Sequence, residues 1–393
     1  MKKSLLLILL ASSSYLYAQD YSEFFSTIKI LETGDSVAVE SVWSQLKNSQ
    51  KVPLIVGDSV AFLFRRKAKS VSWLGDFNAW GYDKKFNATG KPLRNNIWLM
   101  KAAFPQDARL DYKILINGSE WILDPVNPNQ QWSGVGGGSP NSELRMPKWK
   151  DDYAIAAPVT AMGSTSDDIL FYSNALGYQV MYKIYTPVGY ANLEKLPILY
   201  VTDGYEYLHP KMGNMAATLD NLIAAKKIRP IIVVFVDHRE PVNRSNNRRM
   251  KEMSLNADYL NFFTDELIPH VEKDLKVNGT PSQRGIMGTS LGGLNAAYFA
   301  FSRPDVFGLS GIQSPSFYTQ PQIYKICDSP ESPKIKVSMT SGVIHDASAG
   351  TRKMKSILEN NACVYFYKEV NEGHSWGNWR NLIDDILIDF FAF

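Results

Sequence analysis

The chain has 393 residues, 45% of them hydrophobic and 21% charged, with a formal net charge of +3. This is the composition of a globular protein longer than one ordinary domain, and two domains are expected. So small a positive excess, with no basic run interleaved with aromatic residues, argues against a nucleic-acid partner. Two cysteines, Cys327 and Cys363, are too few for a metal cluster or a disulfide scaffold; two buried thiols are expected, with a single bridge as the alternative after export.

In chain order, the first signal is "MKKSLLLILLASSSYLYAQD", two lysines and a short apolar run ending in a small residue. Residues 1–18 are read as a secretory signal peptide cut after Ala18. The run is shorter than the roughly 20 residues needed to span a bilayer, and no cysteine stands at the cleavage point for lipid attachment. Export as a free soluble protein is the expectation, with no other span in the chain.

From about Ser59 to Trp149, short runs such as "SVAFLFRR", "SVSWLG", "IWLMKAAF" and "LDYKILING" alternate with turn residues about every ten positions. That pattern predicts a small β-sandwich with no helix, placed at residues 50–149. The Gly-rich "WSGVGGGSPNSEL" opens no helix and reads as a flexible loop, not a phosphate cradle. The segments "WLGDFNAWG" and "DYKILINGSEWILDPVNP" resemble early-set, immunoglobulin-like modules related to glycogen-binding domains. That resemblance implies aromatic stacking on sugar rings, with Trp73, Trp80, Trp98, Trp121 and Trp132 as candidates. Trp73 and Trp98 alternate like buried strand residues, whereas Trp80 and Trp132 lie in loop-like stretches and are the candidate ligand contacts.

A linker rich in Ala, Pro, Ser and Thr, Lys148 to Ser166, is followed by strand-like runs ("YQVMYKIYTP", "LPILYVTDG", "RPIIVVFVD", "RGIMGTS") alternating with helical ones ("MGNMAATLDNLIAAKK", "ADYLNFFTDELIPHVEKDL"). This predicts a doubly wound α/β sheet over residues 167–393. Chemistry-bearing residues fall at carboxyl ends of its strands: Asp203, Asp237, Ser290 and Asp346.

Gly288-Thr289-Ser290-Leu291-Gly292 fits G-x-S-x-G between the strand "RGIM" and the helix "LNAAYFAF", the nucleophile elbow of an α/β hydrolase. The turn strains the serine, and the flanking glycines avoid clashes. A serine needs a base that follows an acid in chain order. Of His345 and His374, the latter fits, in the loop "NEGHSWGNW" before the last helix, with Asp346 as the acid that orients it. Asp384 and Asp385 are alternatives, on the face of an amphipathic helix; a dyad without an acid is another. The oxyanion hole is assigned to the backbone N–H of Leu291 and that of Gly204 or Tyr205 in "LYVTDGYEYL".

Together with "RRMKEM", "FFTDELIPHVE", "GIMGTSLGGLNAAYFAFSRPDVFG" and "EGHSWGNW", these residues resemble the putative esterase family of α/β hydrolases. That family includes enterochelin (ferric siderophore) esterases, feruloyl esterases and D-type esterases, and the likeness runs from about Tyr178 to Phe393. The "YVTDG" form is similar to the siderophore branch, as is the pairing of Arg249 with Glu252 and Met253. Arg239 and Arg244 in "VDHREPVNRSNNRRMKEM" are candidate contacts for an anionic substrate, and Trp376 is another candidate contact. Arg249 and Glu252, one helical turn apart, read as a structural pair. The resemblance implies a serine esterase that needs no metal or organic cofactor and acts on a small-molecule ester, an enterochelin-type siderophore; the signal peptide adds that it is secreted, to the periplasm. A feruloyl or acetyl esterase of plant polysaccharide is the alternative, and a non-catalytic carbohydrate-binding protein the other.

Overall fold

A computed structural model describes residues 21–134, 138–158, 161–328 and 335–393; the expected signal peptide lies outside them. No helix among the described residues is long and apolar enough to cross a membrane. The chain forms two compact units, the first holding its described residues up to Gln131 together with Pro140–Lys150 and Asn371–Gly373, the second holding the rest.

The first unit contains a four-stranded and a five-stranded sheet whose registered strand pairs are all antiparallel. Both faces of the Ser59–Arg65 strand are covered, which explains why "SVAFLFR" is buried almost throughout. Phe62 turns one way, onto Trp73 and Tyr112 of the other sheet. Ala61 and Leu63 turn the other way, into a cluster with Phe24, Ile28, Leu31, Val39, Trp43 and Leu46. Those last six residues belong to a helical stretch at 21–33 and to the helix Ser36–Asn48, capped by Asp35, whose carboxylate accepts from the N–H groups of Val37 and Ala38. The sequence reading gave these helices no place. As expected, Trp73 and Trp98 are buried. The Gly-rich stretch is less of a loop than expected: Gln130–Ser133 and Ser139–Arg145 are strands, while 135–137 lie outside the described residues.

The second unit is built on a nine-stranded sheet. Its core runs parallel in the order Ile232–Asp237, Ile198–Val201, Arg284–Thr289, Leu309–Gln313, Lys336–Gly342, Val364–Val370. The longer Tyr178–Thr186 strand joins antiparallel at one side. Successive residues enter opposite layers: Tyr200, Val234 and Ile286 pack with the helix Leu291–Ser302, and Leu199, Val201, Val233 and Met287 pack with the helices Met215–Ala224 and Ile383–Phe391. Burial on both faces is why these strands read as continuous apolar runs. The expected long helix after Asn256 is interrupted by a π-helical segment, Phe262–Leu267. Both cysteines are buried.

Candidate active site

The parallel strand Arg284–Thr289 ends at the centre of the sheet, and the helix Leu291–Ser302 starts one residue later. Ser290 makes that turn at φ 58°, ψ −115°, a backbone state that an L-residue holds only when its surroundings impose it. Its N–H donates to the Gln313 carbonyl at 2.9 Å, and its own carbonyl accepts from Leu294 and Ser316. The flanking glycines are needed for close approach. A Cβ at Gly288 would stand 2.4 Å from Thr202 Oγ1 and 2.5 Å from the Gly292 backbone, and one at Gly292 would stand 2.7 Å from Thr202 Oγ1. The elbow is therefore packed directly against the Thr202–Asp203 turn.

His374, not His345, faces the serine: Nε2 lies 2.9 Å from Ser290 Oγ and Nδ1 lies 2.6 Å from Asp346 Oδ1. Asp346, whose side chain is fully buried, follows the strand Lys336–Gly342. Its other oxygen accepts from Ser314 Oγ, the Gly342 N–H and, at 3.3 Å, Asn378 Nδ2. The edge of the His374 ring meets Trp379 at a centroid distance of 4.9 Å. A serine hydroxyl, an imidazole and a buried carboxylate thus stand in hydrogen-bonded series, an arrangement able to carry acyl transfer.

Leu291 opens the helix behind the nucleophile, and Gly204 and Tyr205 open the short helix Gly204–Leu208 after the strand Ile198–Val201. First-turn N–H groups have no partner within their helix. Asp203 enters this second turn at φ 57°, and a Cβ at Gly204 would fall 2.5 Å from the Phe235 backbone, so glycine is required there.

Arg239 and Arg244 line a cavity of about 220 Å³ with Gly204, Tyr205, Lys183 and Asp168. Arg239 forms a forked pair with Asp237 and lies over the Tyr205 ring at 3.6 Å; Arg244 pairs with Asp168 at 2.7 Å. Trp376 does not serve as a substrate contact. It is buried against Tyr207 and Trp379 in the core, its Nε1 donating to Glu206. Burial raises that carboxyl, with Asp203 adding to the rise. Trp132 lies in a strand of the second unit's share of the chain, stacked on His209 with Lys211 over its ring, not in a loop. Trp80 is half-buried in the first unit, with Nε1 on Asp76, and lines an open cavity of about 660 Å³ beside Tyr82.

Arg249 does not pair with Glu252. Its guanidinium grips both oxygens of Asp203 at 2.7 Å and donates to the Thr289 carbonyl at 2.9 Å. Glu252 instead accepts from the Tyr178 hydroxyl, and burial pushes it up to about 7. His238 Nδ1 sits 3.0 Å from Asp203 Oδ1, close enough to pair but not aligned as a hydrogen bond. Burial pushes that imidazole down, but the Asp203 carboxylate outweighs it and raises it. Ser316, which the sequence reading passed over, places its hydroxyl 3.0 Å from Ser290 Oγ; the only signal for it is "QSPS" at the end of the next strand. No group of three or more His, Cys, Asp or Glu side chains placed to hold a metal ion occurs among the described residues.

The chain is similar to known esterases. A family model described as Putative esterase matches residues 173–339. An endo-1,4-beta-xylanase/feruloyl esterase of Xylanibacter ruminicola is 26% identical over 58% of this chain and 32% of its own length. An iron(III) enterobactin esterase of Escherichia coli O6:H1 is 26% identical over 69% of this chain and 67% of its own. The crystal structure of an enterobactin esterase from Shigella flexneri superposes with a TM-score of 0.70 at 20% identity, covering 84% of this chain and 92% of that one. The chain matches the Putative esterase family over residues 173–339 and is an esterase of α/β-hydrolase fold.

Proposed function

We propose that this esterase cleaves the ester bonds of an enterobactin-type ferric catecholate by a serine acyl-enzyme route. The observation that carries the chemistry is the Ser290–His374–Asp346 series. Ser290 Oγ attacks the ester carbonyl as His374 Nε2 takes its proton, and Asp346 keeps the imidazole in the useful tautomer and stabilises its cation. The oxyanion is held by the N–H of Leu291 and that of Gly204 or Tyr205. His374 then protonates the departing alcohol, and water, activated by the same imidazole, releases the acid and regenerates the serine.

The substrate assignment is supported by the arginine-lined cavity beside Gly204 and Tyr205, suited to an anionic, aromatic acyl group, and by likeness to an iron(III) enterobactin esterase over two thirds of both chains. Export to the periplasm is part of the proposal and rests on the amino-terminal sequence alone. The test is hydrolysis, side by side, of a ferric catecholate trilactone and a feruloylated arabinoxylan oligosaccharide, with Ser290→Ala as control. Trilactone cleavage abolished in the variant is expected; feruloyl cleavage alone would transfer the protein to polysaccharide breakdown.

A further inference from the structure

The oxyanion hole proposed above is made from two separate turns, and a single side chain bridges them. The Leu291 N–H follows Thr289-Ser290, and the Gly204 and Tyr205 N–H groups follow Asp203. Arg249, on the short helix Arg249–Met253, donates Nε and Nη2 to the two Asp203 oxygens and shares Nη2 with the Thr289 carbonyl. It thus holds Asp203, directly before Gly204, and Thr289, two residues before Leu291. Nothing intervenes between the two turns: a Cβ on Gly292 would lie 2.9 Å from Asp203 Oδ2, and the Thr202 N–H donates to the Met287 carbonyl at 3.0 Å. Both turns are held in backbone states that relax unless constrained, Asp203 at φ 57° and Ser290 at φ 58°.

We infer that Arg249 is a positioning residue that clamps the two halves of the oxyanion hole at the spacing a tetrahedral intermediate requires. Burial would raise the Asp203 carboxyl, but the guanidinium outweighs it and keeps it ionised far below the usual carboxylate range, so the clamp stays closed across the working pH. The planar fork is essential, because a lysine ammonium cannot meet both carboxylate oxygens and the carbonyl in fixed directions. A hole held open at the wrong spacing still binds the ground-state ester but loses its grip on the oxyanion. The defect therefore falls on kcat and leaves KM in place.

This inference rests on the serine-esterase reading, so the experiment pairs Arg249→Met and Arg249→Lys with wild type and Ser290→Ala. Steady-state hydrolysis of 4-nitrophenyl acetate, inhibition by an alkylboronic acid and melting temperature are measured on each. Loss of activity in Ser290→Ala alone secures the nucleophile whatever Arg249 does. The clamp predicts kcat lower by about 100-fold in Arg249→Met, the scale of one lost oxyanion donor, with KM within twofold and boronate affinity falling in step. Arg249→Lys should be intermediate, and added guanidinium ion should recover part of the Arg249→Met rate. A kcat within threefold of wild type, a change confined to KM, or a variant whose boronate affinity is unaltered would overturn it. A wild type inert toward every ester would overturn both the reading and the clamp built on it.

Discussion

Asp346 holds His374 with one carboxylate oxygen and is itself held through the other, which accepts from Ser314 Oγ and the Gly342 N–H, both at 2.6 Å. Every strong partner of the carboxylate is thus a donor, and a neutral amide in its place would turn a donor toward one of them. Asp346→Asn should keep the fold but favour the wrong tautomer of His374, lowering kcat by about 10³- to 10⁴-fold with little change in KM. Stopped-flow acylation of the variant checks this; a loss under tenfold would show that His374 works as a dyad with Ser290.

Ser316 supplies a second hydroxyl at the reaction centre, 3.0 Å from Ser290 Oγ, and its N–H donates to the Ser290 carbonyl. When the Ser290 proton is directed at His374 Nε2, the Ser316 hydroxyl is the one that must donate to Ser290 Oγ. Ser316→Ala keeps the backbone bond and removes only the hydroxyl, so a fall in kcat of about tenfold with unchanged melting temperature is expected, the scale of one hydrogen bond. Equal or faster turnover would mean that the hydroxyl competes with the imidazole instead of helping it.

Much of this site was legible in the sequence because an elbow has few solutions. Gly288, Ser290 and Gly292 are fixed by a strand meeting a helix, and chain order then singled out Asp346 and His374. What was not legible lies in contacts across long sequence separations. Arg249 sits one helical turn from Glu252, and local spacing paired them; the fold brings Asp203, forty-six residues earlier, into better geometry. Trp376 is a candidate contact by sequence, yet its own short helix turns it inward onto Tyr207. Trp132 followed the same logic in reverse: glycines nearby suggested a loop, and strand pairing overrode them. The helices over residues 21–48 carried no chemical motif, although their apolar residues cover one face of the first unit's sheet.

Glu252 is buried with Oε1 accepting from Tyr178 while Oε2 has no hydrogen-bond partner, and burial pushes it up to about 7. A carboxyl raised in the folded state keeps its proton there while the unfolded chain has released it. Its contribution is therefore intact below pH 4.5 and is lost progressively as pH climbs from 4.5 to about 7, beyond which the penalty is constant, about 3 kcal/mol in all. Glu252→Gln removes that titration. Thermal unfolding at intervals from pH 4 to 9 should show the variant gaining on wild type through this window and running parallel above it. A constant offset at all pH values would show that the carboxyl stays ionised in the fold.

Arg109 is the wholly buried cation of a cluster in the first unit, donating to Asp111 and Glu143 with Glu372 at 3.9 Å, while the more exposed Arg145 also pairs with Glu143. Burial alone would raise all three carboxyls; the Arg109 guanidinium, helped by that of Arg145, outweighs it at Glu143 and holds that group low, whereas Glu372 is still pushed up to about 8. Arg109→Met would leave buried carboxylates without their counter-charge, a loss of about 3–5 kcal/mol where they must remain ionised. Those carboxyls can instead take up protons, so the folded variant binds more protons than folded wild type. By linkage, its deficit must grow as pH rises and shrink as pH falls. Urea unfolding at pH 5 and pH 8 distinguishes the cases: a small deficit at pH 5 and a large one at pH 8 is expected. An equal deficit at both would mean that Arg109 stabilises this unit through packing of its side chain and not through its charge.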